Sequence, residues 1–586
     1  MADRISMFSE PPANGGGVDA ISRLYEDILW RIFMENTLCP PDSRPLMIAR
    51  HSSQVCRRWR AIILRSSTIW GRLISLKELW NVEDEWRDEV VARTGCALLW
   101  VHNHNTEISR SESLTSFLFN LLRQHWERIQ ILKVTGGRLD EYQKEFWTTL
   151  FQHPAPKLKI FYFTYYLYVG QDPWILPSPL FNNAFPQLKY FSVTGAVPDT
   201  CTISIYMPES WLRRLRTLIL RRSTVVELVG LLRLTPLLEE LETITHIGSP
   251  IENDNLPKVL LPRLKNIRLG WRFPLAIRLL TLLVPSEGCS LQLPAHYDTN
   301  PTYGPTVSQD WMVQAYLTIT KYAVSYCEQH RPTAMSFYYN ESILIMKELN
   351  TSQEEPKFHI SAPQINGNYS LIEMLLTSCL ASVREFHLST TGTVTVAIPS
   401  LYSLLPFYSA TTLSANIDTL VLIQNHWDQD RRSPLFPQLQ TLKMESIVTN
   451  WRAADQIQET VHEAVKIIEV FFKLYADQGV QITAFDICQM TMATGEPMDF
   501  SFLENFKGLL FKWAHRKAQG KHEIKEYTCG TGQPSELMVW HCDSRPQKAV
   551  RRRIGCKLRR PMPNFGWSAR IGDWKKINSE RRLMKL

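Results

Sequence analysis

No stretch of about 18 uninterrupted apolar residues occurs in this chain, so no membrane-spanning helix is expected. The best apolar run, Leu275 to Val284, is broken by Arg278. The N-terminus, Met1-Ala2-Asp3-Arg4 followed by a Pro/Gly stretch, has neither the apolar core nor the cleavage site of a signal peptide. Cysteine is scarce and unpaired in spacing. The 11 present suggest free thiols in a reducing compartment, cytoplasmic and/or nuclear. The sequons at Asn340, Asn350 and Asn368 then read as chance matches. Catalytic signatures are missing too: there is no G-x-S-x-G elbow, P-loop, dinucleotide fingerprint or H-E-x-x-H. After His462-Glu463, Lys466 stands where a second zinc-binding His would be. Cys529, His541, Cys542 and Cys556 lack a chelating C-x-x-C pair. No enzymatic activity, cofactor or metal is expected.

What is present fits a large folded protein. Its 586 residues exceed one compact core and call for several domains or a repeat array. Apolar residues make up 44% and charged residues 21%, as in ordinary globular proteins. Eighteen Trp is a high count, and Trp serves cores and binding surfaces alike. Charge is unevenly placed. Residues 545–586 carry 14 Lys/Arg against Asp573 and Glu580, a net of +12, so the other 544 residues total −4 of the overall +8.

Residues 1–20 read as a disordered, Pro/Gly-rich lead. From Ile21 a helical pattern begins, with Leu24, Ile28 and Ile32 at i, i+4 spacing and Leu29 and Phe33 widening the face. Cys39-Pro40-Pro41 ends it, and Pro45 suits the first turn of a second helix. A third helix is expected to carry Val55, Trp59 and Ile62 or Ile63, with Ile69-Trp70 after a short polar turn.

Beyond about residue 90, short strand-like blocks recur. They begin at Ala97, Ile129, Leu158, Leu188, Leu215, Leu238 and Leu264, spaced from 23 to 32 residues apart. Several follow P-x-L-x-x-Φ-x-Φ, with Φ apolar: Pro186-Gln187-Leu188, Pro262-Arg263-Leu264 and Pro437-Gln438-Leu439. One such unit cannot bury its apolar face alone, so units must stack into a solenoid of leucine-rich-repeat type. Helices are expected at 114–126, 225–234, 276–284, 311–326 and 454–475. The period blurs between residues 290 and 380. Weaker strand units are expected at Val383–Leu388, Ile417–Leu422, Leu439–Met444 and Val480–Ile487.

The string L-Y-E-D-I-L-W-R-I-F, then C-P-P-D-S, S-Q-V-C-R-R-W-R-A-I and S-S-T-I-W, over about 50 residues, resembles an F-box. More narrowly it resembles that of large fungal families pairing an F-box with degenerate leucine-rich repeats. Where the family usually has Leu-Pro, this chain has Leu24-Tyr25. The resemblance implies an α/β fold, with an N-terminal three-helix F-box over residues 21–80 and an irregular solenoid over 90–500. A C-terminal capping region, 501–544, and the basic tail, 545–586, complete the plan. It further implies a Skp-type adaptor as partner and, through it, a cullin scaffold. Leu24, Ile28, Leu29, Ile32, Val55, Trp59 and Trp70 match the motif's apolar positions and become the adaptor-binding candidates.

The implied function is a substrate receptor of a ubiquitin ligase, with an unknown protein substrate. Loop aromatics Trp174, Tyr297 and Tyr303 are its candidate contacts. An F-box scaffold outside a ligase is the alternative. The tail, with Arg551, Arg552, Arg553, Arg559 and Arg560 and interleaved Trp567 and Trp574, reads as a solvated segment, a nuclear-import signal or a nucleic-acid patch. Nucleic-acid binding is the least expected of the three.

Overall fold

The computed structural model describes residues 24–38, 44–103, 111–165, 174, 176–177, 179–194, 209–246, 256–294, 309–340, 343–349, 356–363, 382–391, 409–429, 434–445, 457–490, 498–516 and 522–539. They form a mixed α/β structure in two compact units. One holds the described residues up to 165 with 181–187, and the other holds 174–180 and 188–539.

The first unit begins with helices α1 (Glu26–Asn36), α2 (Pro45–Val55), α3 (Arg57–Arg65) and α4 (Ser67–Arg72). Helix α1 starts at Glu26, after Tyr25 in extended conformation, rather than at Ile21. Pro45 takes the first position of α2, as its missing N–H allows. Val55 closes α2 and does not open α3. Cys56 is fully extended between the two helices, and its Sγ accepts from the Trp59 N–H, so the chain turns there. A fourth helix also stands where a polar turn and Ile69-Trp70 were expected; Ser66 Oγ caps it from the Ile69 N–H.

Strand β1 (Ile74–Ser75) follows directly and pairs in parallel with β2 (Leu99–His102), so the ladder begins before residue 90. Helix α5 (Asp84–Arg93) links them. Helix α6 (Glu112–His125), strand β3 (Ile129–Gly137), helix α7 (Glu141–Phe151) and strand β4 (Ile160–Tyr165) continue a parallel β1–β2–β3–β4 ladder. Buried Trp126, Trp147, Phe151, Phe161, Phe163 and Phe181 form one aromatic core beneath it.

The second unit runs β5 (Tyr190–Thr194), β6 (Thr217–Ser223), helix α8 (Val225–Leu232), β7 (Glu240–His246), β8 (Val259–Leu261), β9 (Asn266–Leu269), helix α9 (Phe273–Leu282), β10 (Leu283–Pro285) and β11 (Ser290–Leu293). Then come helix α10 (Gln309–His330), β12 (Ala334–Asn340), β13 (Ile343–Glu348), β14 (His359–Pro363), β15 (Glu385–Thr391), β16 (Thr412–Ala415) and helix α11 (Ile417–Gln429). Strand β17 (Thr441–Met444), helix α12 (Ile457–Asp477), β18 (Ala484–Asp486), β19 (Met498–Asp499), β20 (Leu510–Arg516), β21 (His522–Thr528) and β22 (Met538–Val539) complete it.

Strands β5, β6, β7, β9 and β11 pair successively in parallel, as do β12, β15, β16, β17, β18 and β20. Between them the order inverts. Strand β11 pairs with β14, and β14–β13–β12 is an antiparallel meander. This is why the repeat blurs between residues 290 and 380. The antiparallel hairpin β20–β21 ends the ladder, and among the described residues β21 pairs with no other strand. The separate pair β8–β10 is parallel.

The repeat has a plain physical basis. Its conserved-spacing leucine closes a turn: Leu238, Leu264 and Leu439 each donate their N–H three residues back, to Thr235, Leu261 and Phe436. The next residue then bonds the equivalent residue of the previous unit. Arg216 donates to Lys189 at 2.8 Å, Glu239 to Arg216 at 2.7 Å, Lys265 to Glu239 at 2.9 Å and Ser290 to Lys265 at 2.7 Å. The same stitch joins Thr411 to Arg384, Gln440 to Thr411 and Thr483 to Gln440. One fixed register follows, and it lines up the core rows Phe191–Leu218–Leu241–Ile267–Leu291 and Phe386–Leu413–Leu442–Phe485–Phe511, all buried. Full burial of each such side chain contributes about 1.5–3 kcal/mol.

Ile417–Leu422 corrects a strand expectation. It is the start of helix α11, and the strand lies just before it at Thr412–Ala415. Asn416 Oδ1 accepts the Thr419 N–H at 3.1 Å and caps the helix. Among the described residues no helix is long and apolar enough to cross a membrane.

Candidate functional site

Three surfaces carry chemistry. The first is on the N-terminal helices. Leu29 and Phe33 of α1 are buried, as are Leu46 of α2, Ile62 and Ile63 of α3, and Ile69 and Trp70 of α4. The bundle is pinned by polar contacts. Trp30 Nε1 donates to Ser66 Oγ at 2.9 Å, Trp70 Nε1 donates to the Ile63 carbonyl at 2.9 Å, and the Arg58 guanidinium donates to the Leu24 carbonyl. Trp59 packs edge-on against Phe33, with ring centroids 5.1 Å apart. Glu78 accepts the N–H groups of Leu46 at 3.0 Å and Met47 at 2.9 Å, closing the start of α2. Burial pushes the Glu78 carboxyl up, while those two N–H groups, Arg44 and Ser75 pull it partly back.

That core leaves an apolar surface unused. Ile28 is 40% exposed, Ile32 42%, Val55 64% and Tyr25 76%. Ile28 and Ile32 stand one turn apart on α1, and Tyr25 immediately precedes the helix. Arg57, Arg58 and Arg60 are exposed as well. Of the seven adaptor-binding candidates, then, Ile28, Ile32 and Val55 are open, and Leu24 and Trp59 are half-buried. Leu29 and Trp70 belong to the core: both are buried, so neither side chain offers a surface. Tyr25 and the exposed Met47 were missed. Neither sits on the apolar pattern that marked the others, and only the folded bundle reveals them.

The second surface is the strand face of the second unit. One register line crosses the whole ladder: Ser192, Ile219, Glu242, Arg268, Gln292, His359, Lys347, Ser336, His387, Ser414, Lys443, Asp486, Lys512 and Glu526. Every member but Ile219 is polar, while the adjacent line is core. Arg268 Nε donates to Gln292 Oε1 at 2.6 Å, and its guanidinium lies 3.7 Å from Glu242. Lys512 pairs with Glu526 at 2.6 Å. The densest cluster surrounds His387. Its Nδ1 lies 2.8 Å from Glu445 Oε1, and its Nε2 lies 3.3 Å from Ser414 Oγ and 3.4 Å from Glu385 Oε1. Lys443 Nζ donates to the same Glu385 oxygen at 2.6 Å. Burial raises the Glu385 carboxyl, but Lys443 and then His387 outweigh it and hold it below the ordinary carboxylate value.

Ser414, His387 and Glu445 stand in the order of a nucleophile, base and carboxylate. Ser414 is buried and lies within a strand bonded on both sides, so its hydroxyl is closed to a substrate. The cluster serves the ladder instead, linking β15, β16 and β17. Sequence reading missed it because Glu445 and His387 are 58 residues apart.

The third surface is a cleft of about 680 Å³ in the first unit, walled by α6, α7 and the segment 153–156. Arg123, Glu127, Arg128, Tyr142, Glu145 and Phe146 line it, over a floor that includes Trp126. Arg128 donates to the Ala97 carbonyl at 2.7 Å and to Thr94 Oγ1 at 3.0 Å, and burial lowers its pKa. Burial and then the Arg128 charge lower the pKa of neighbouring His125.

Trp174, a loop candidate for substrate contact, is buried, so its ring is not offered to a partner. Tyr297 and Tyr303 lie outside the described residues, as do Arg551, Arg552, Arg553, Arg559 and Arg560 of the tail. No protein-family model matches this chain, and no curated protein matches it.

Proposed function

We propose that this chain is the non-catalytic substrate receptor of a Skp–cullin–F-box ubiquitin ligase. The N-terminal helices dock a Skp-type adaptor, and the strand ladder presents a target protein to the machinery. The receptor does no chemistry of its own; it raises the target's effective concentration at the ligase. The observation that carries this reading is the exposure of Tyr25, Ile28, Ile32 and Val55, on a small bundle whose core is already filled. Apolar side chains kept in water beside a complete core are what a partner's apolar surface covers. Ile28, Ile32 and Val55 are also among the positions on which residues 24–70 resemble an F-box.

The test is co-expression with a Skp-type adaptor. Ile28→Asp with Ile32→Asp is expected to lower adaptor affinity at least about tenfold, since each loses an apolar contact worth roughly 1.5–3 kcal/mol. Its thermal midpoint should match the parent's. Undiminished adaptor recovery would overturn the docking face. Cullin recovered through the adaptor distinguishes the receptor from an F-box scaffold that works with the adaptor alone.

A further inference from the structure

The ladder of the second unit ends on an open edge. Strand β21 bonds β20 on one side, and among the described residues no strand lies on its other side. The Cys529 N–H donates to the Leu509 carbonyl at 2.9 Å, one step beyond the Leu510–Thr528 pair. Residues of an antiparallel pair alternate between hydrogen-bonded and non-hydrogen-bonded positions, so Glu523, Lys525 and Tyr527 turn their backbone groups towards β20. His522, Ile524, Glu526 and Thr528 turn theirs outward, each offering an N–H and a C=O to a further strand. The side chains of Glu523, Ile524, Lys525 and Glu526 are exposed, Ile524 by 62%. An edge of this kind is a template for pairing with another chain.

The charges along the strand select its occupant. We infer that this edge pairs with β21 of a second copy of this chain, antiparallel about a two-fold axis at Ile524. With the axis there, Ile524 meets the partner's Ile524 as a hydrogen-bonded pair, using the backbone groups that face outward. Glu523 then stands opposite the partner's Lys525, and Lys525 opposite the partner's Glu523. Both ion pairs fall at non-hydrogen-bonded positions, where facing side chains approach most closely. Other registers lack this match. Moving the axis by one residue sets Glu523 against the partner's Glu523, or Lys525 against the partner's Lys525, and like charges directly opposite are destabilising. The charges that guard this edge against foreign strands are thus complementary to the edge itself. The interface is self-complementary, and the two ladders continue as one sheet across the axis. This pairing stands independently of the ubiquitin-ligase reading.

The test is analytical ultracentrifugation of the full-length chain over a concentration series reaching about 100 μM. The parent should pass from the 68.0 kDa monomer to a dimer as concentration rises. Lys525→Glu sets carboxylate against carboxylate at both ion-pair positions and should weaken the dimer at least about tenfold. Glu523→Lys with Lys525→Glu exchanges the two charges and keeps each pair complementary. It should return the dimer to within about threefold of the parent's strength, which a merely damaged fold would not do. A parent that stays monomeric throughout the series would overturn the proposal. So would a Lys525→Glu chain that dimerises as strongly as the parent, or a charge-exchanged chain that remains as weak as Lys525→Glu.

Discussion

Trp70 is where the resemblance and the packing assign one residue different work. Its motif position makes it a docking candidate, yet its ring is buried, its indole N–H donates to Ile63 and Arg93 lies 5.1 Å over its face. A side chain so enclosed has no area left to give a partner. Trp70→Ala should therefore act on stability, costing about 3–5 kcal/mol of the first unit. Trp70→Phe, which keeps most of the packing but forgoes the hydrogen bond, should cost roughly 1 kcal/mol for the lost bond, plus a smaller packing term. Urea denaturation followed by fluorescence measures both. A Trp70→Ala protein of parental stability that no longer binds the adaptor would return this residue to the surface. Ile28 and Ile32 are the converse case. They lie on the same helix as Leu29 but on its open side, so replacement should alter binding and leave stability nearly alone.

Between elements, the Glu385, His387, Lys443 and Glu445 cluster ties β15 to β17 across β16. It makes ladder stability respond to acid. The folded state holds the Glu385 carboxyl below its ordinary value, chiefly through Lys443, against the opposing effect of burial. A depressed carboxylate contributes stability that is present above the unfolded-state pKa and lost as pH falls through the folded one. The loss should begin below about pH 5 and continue downward. Because Glu385 and Lys443 are about a third exposed, the pair is worth about 1 kcal/mol or less. Lys443→Met should flatten that part of the pH–stability curve, as measured by denaturant midpoints between about pH 6 and pH 3; a curve with unchanged slope would remove Lys443 from this role.

Elements also show what a sequence can and cannot convey. Strands headed by Leu188, Leu238 and Leu264 were legible because alternation and the leucine turn are local. Ile417–Leu422 was not, since a short apolar run fits a strand or a helix equally well, and the Asn416 cap decides it. The helix break at Cys56 escaped notice because nothing in that residue type forbids helix. Spacing found the α1 stripe, but depth depends on which neighbours arrive, so Leu29 and Ile28 read alike in sequence and differ in the fold.

At the scale of the whole molecule, the ladder of the second unit is built from neighbour-to-neighbour pairings, running from β5 to β21 with the pairs β8–β10 and β19–β22 apart from it. Among the described residues, chain order and ladder order disagree at the β14–β13–β12 meander, which joins the parallel run ending at β11 to the run starting at β15. No local pattern announces it, because the inversion is decided by pairings between distant residues. Its middle strand matters beyond its own burial. Leu344 is buried in β13, opposite Tyr339 of β12 and Ala362 of β14. Proline there removes a ladder N–H and places a rigid ring inside a strand bonded on both sides. In a solenoid the coupling between two runs is only the interface they share. Leu344→Pro should therefore divide unfolding of the second unit into two steps instead of merely lowering its midpoint. Hydrogen exchange followed by peptide mapping resolves the halves. Amides of 215–246 and 264–293 should lose protection at a different denaturant concentration from those of 385–391, 441–444 and 484–486. If every strand from β5 to β20 still opened together in the variant, the meander would not be the joint that couples the two runs.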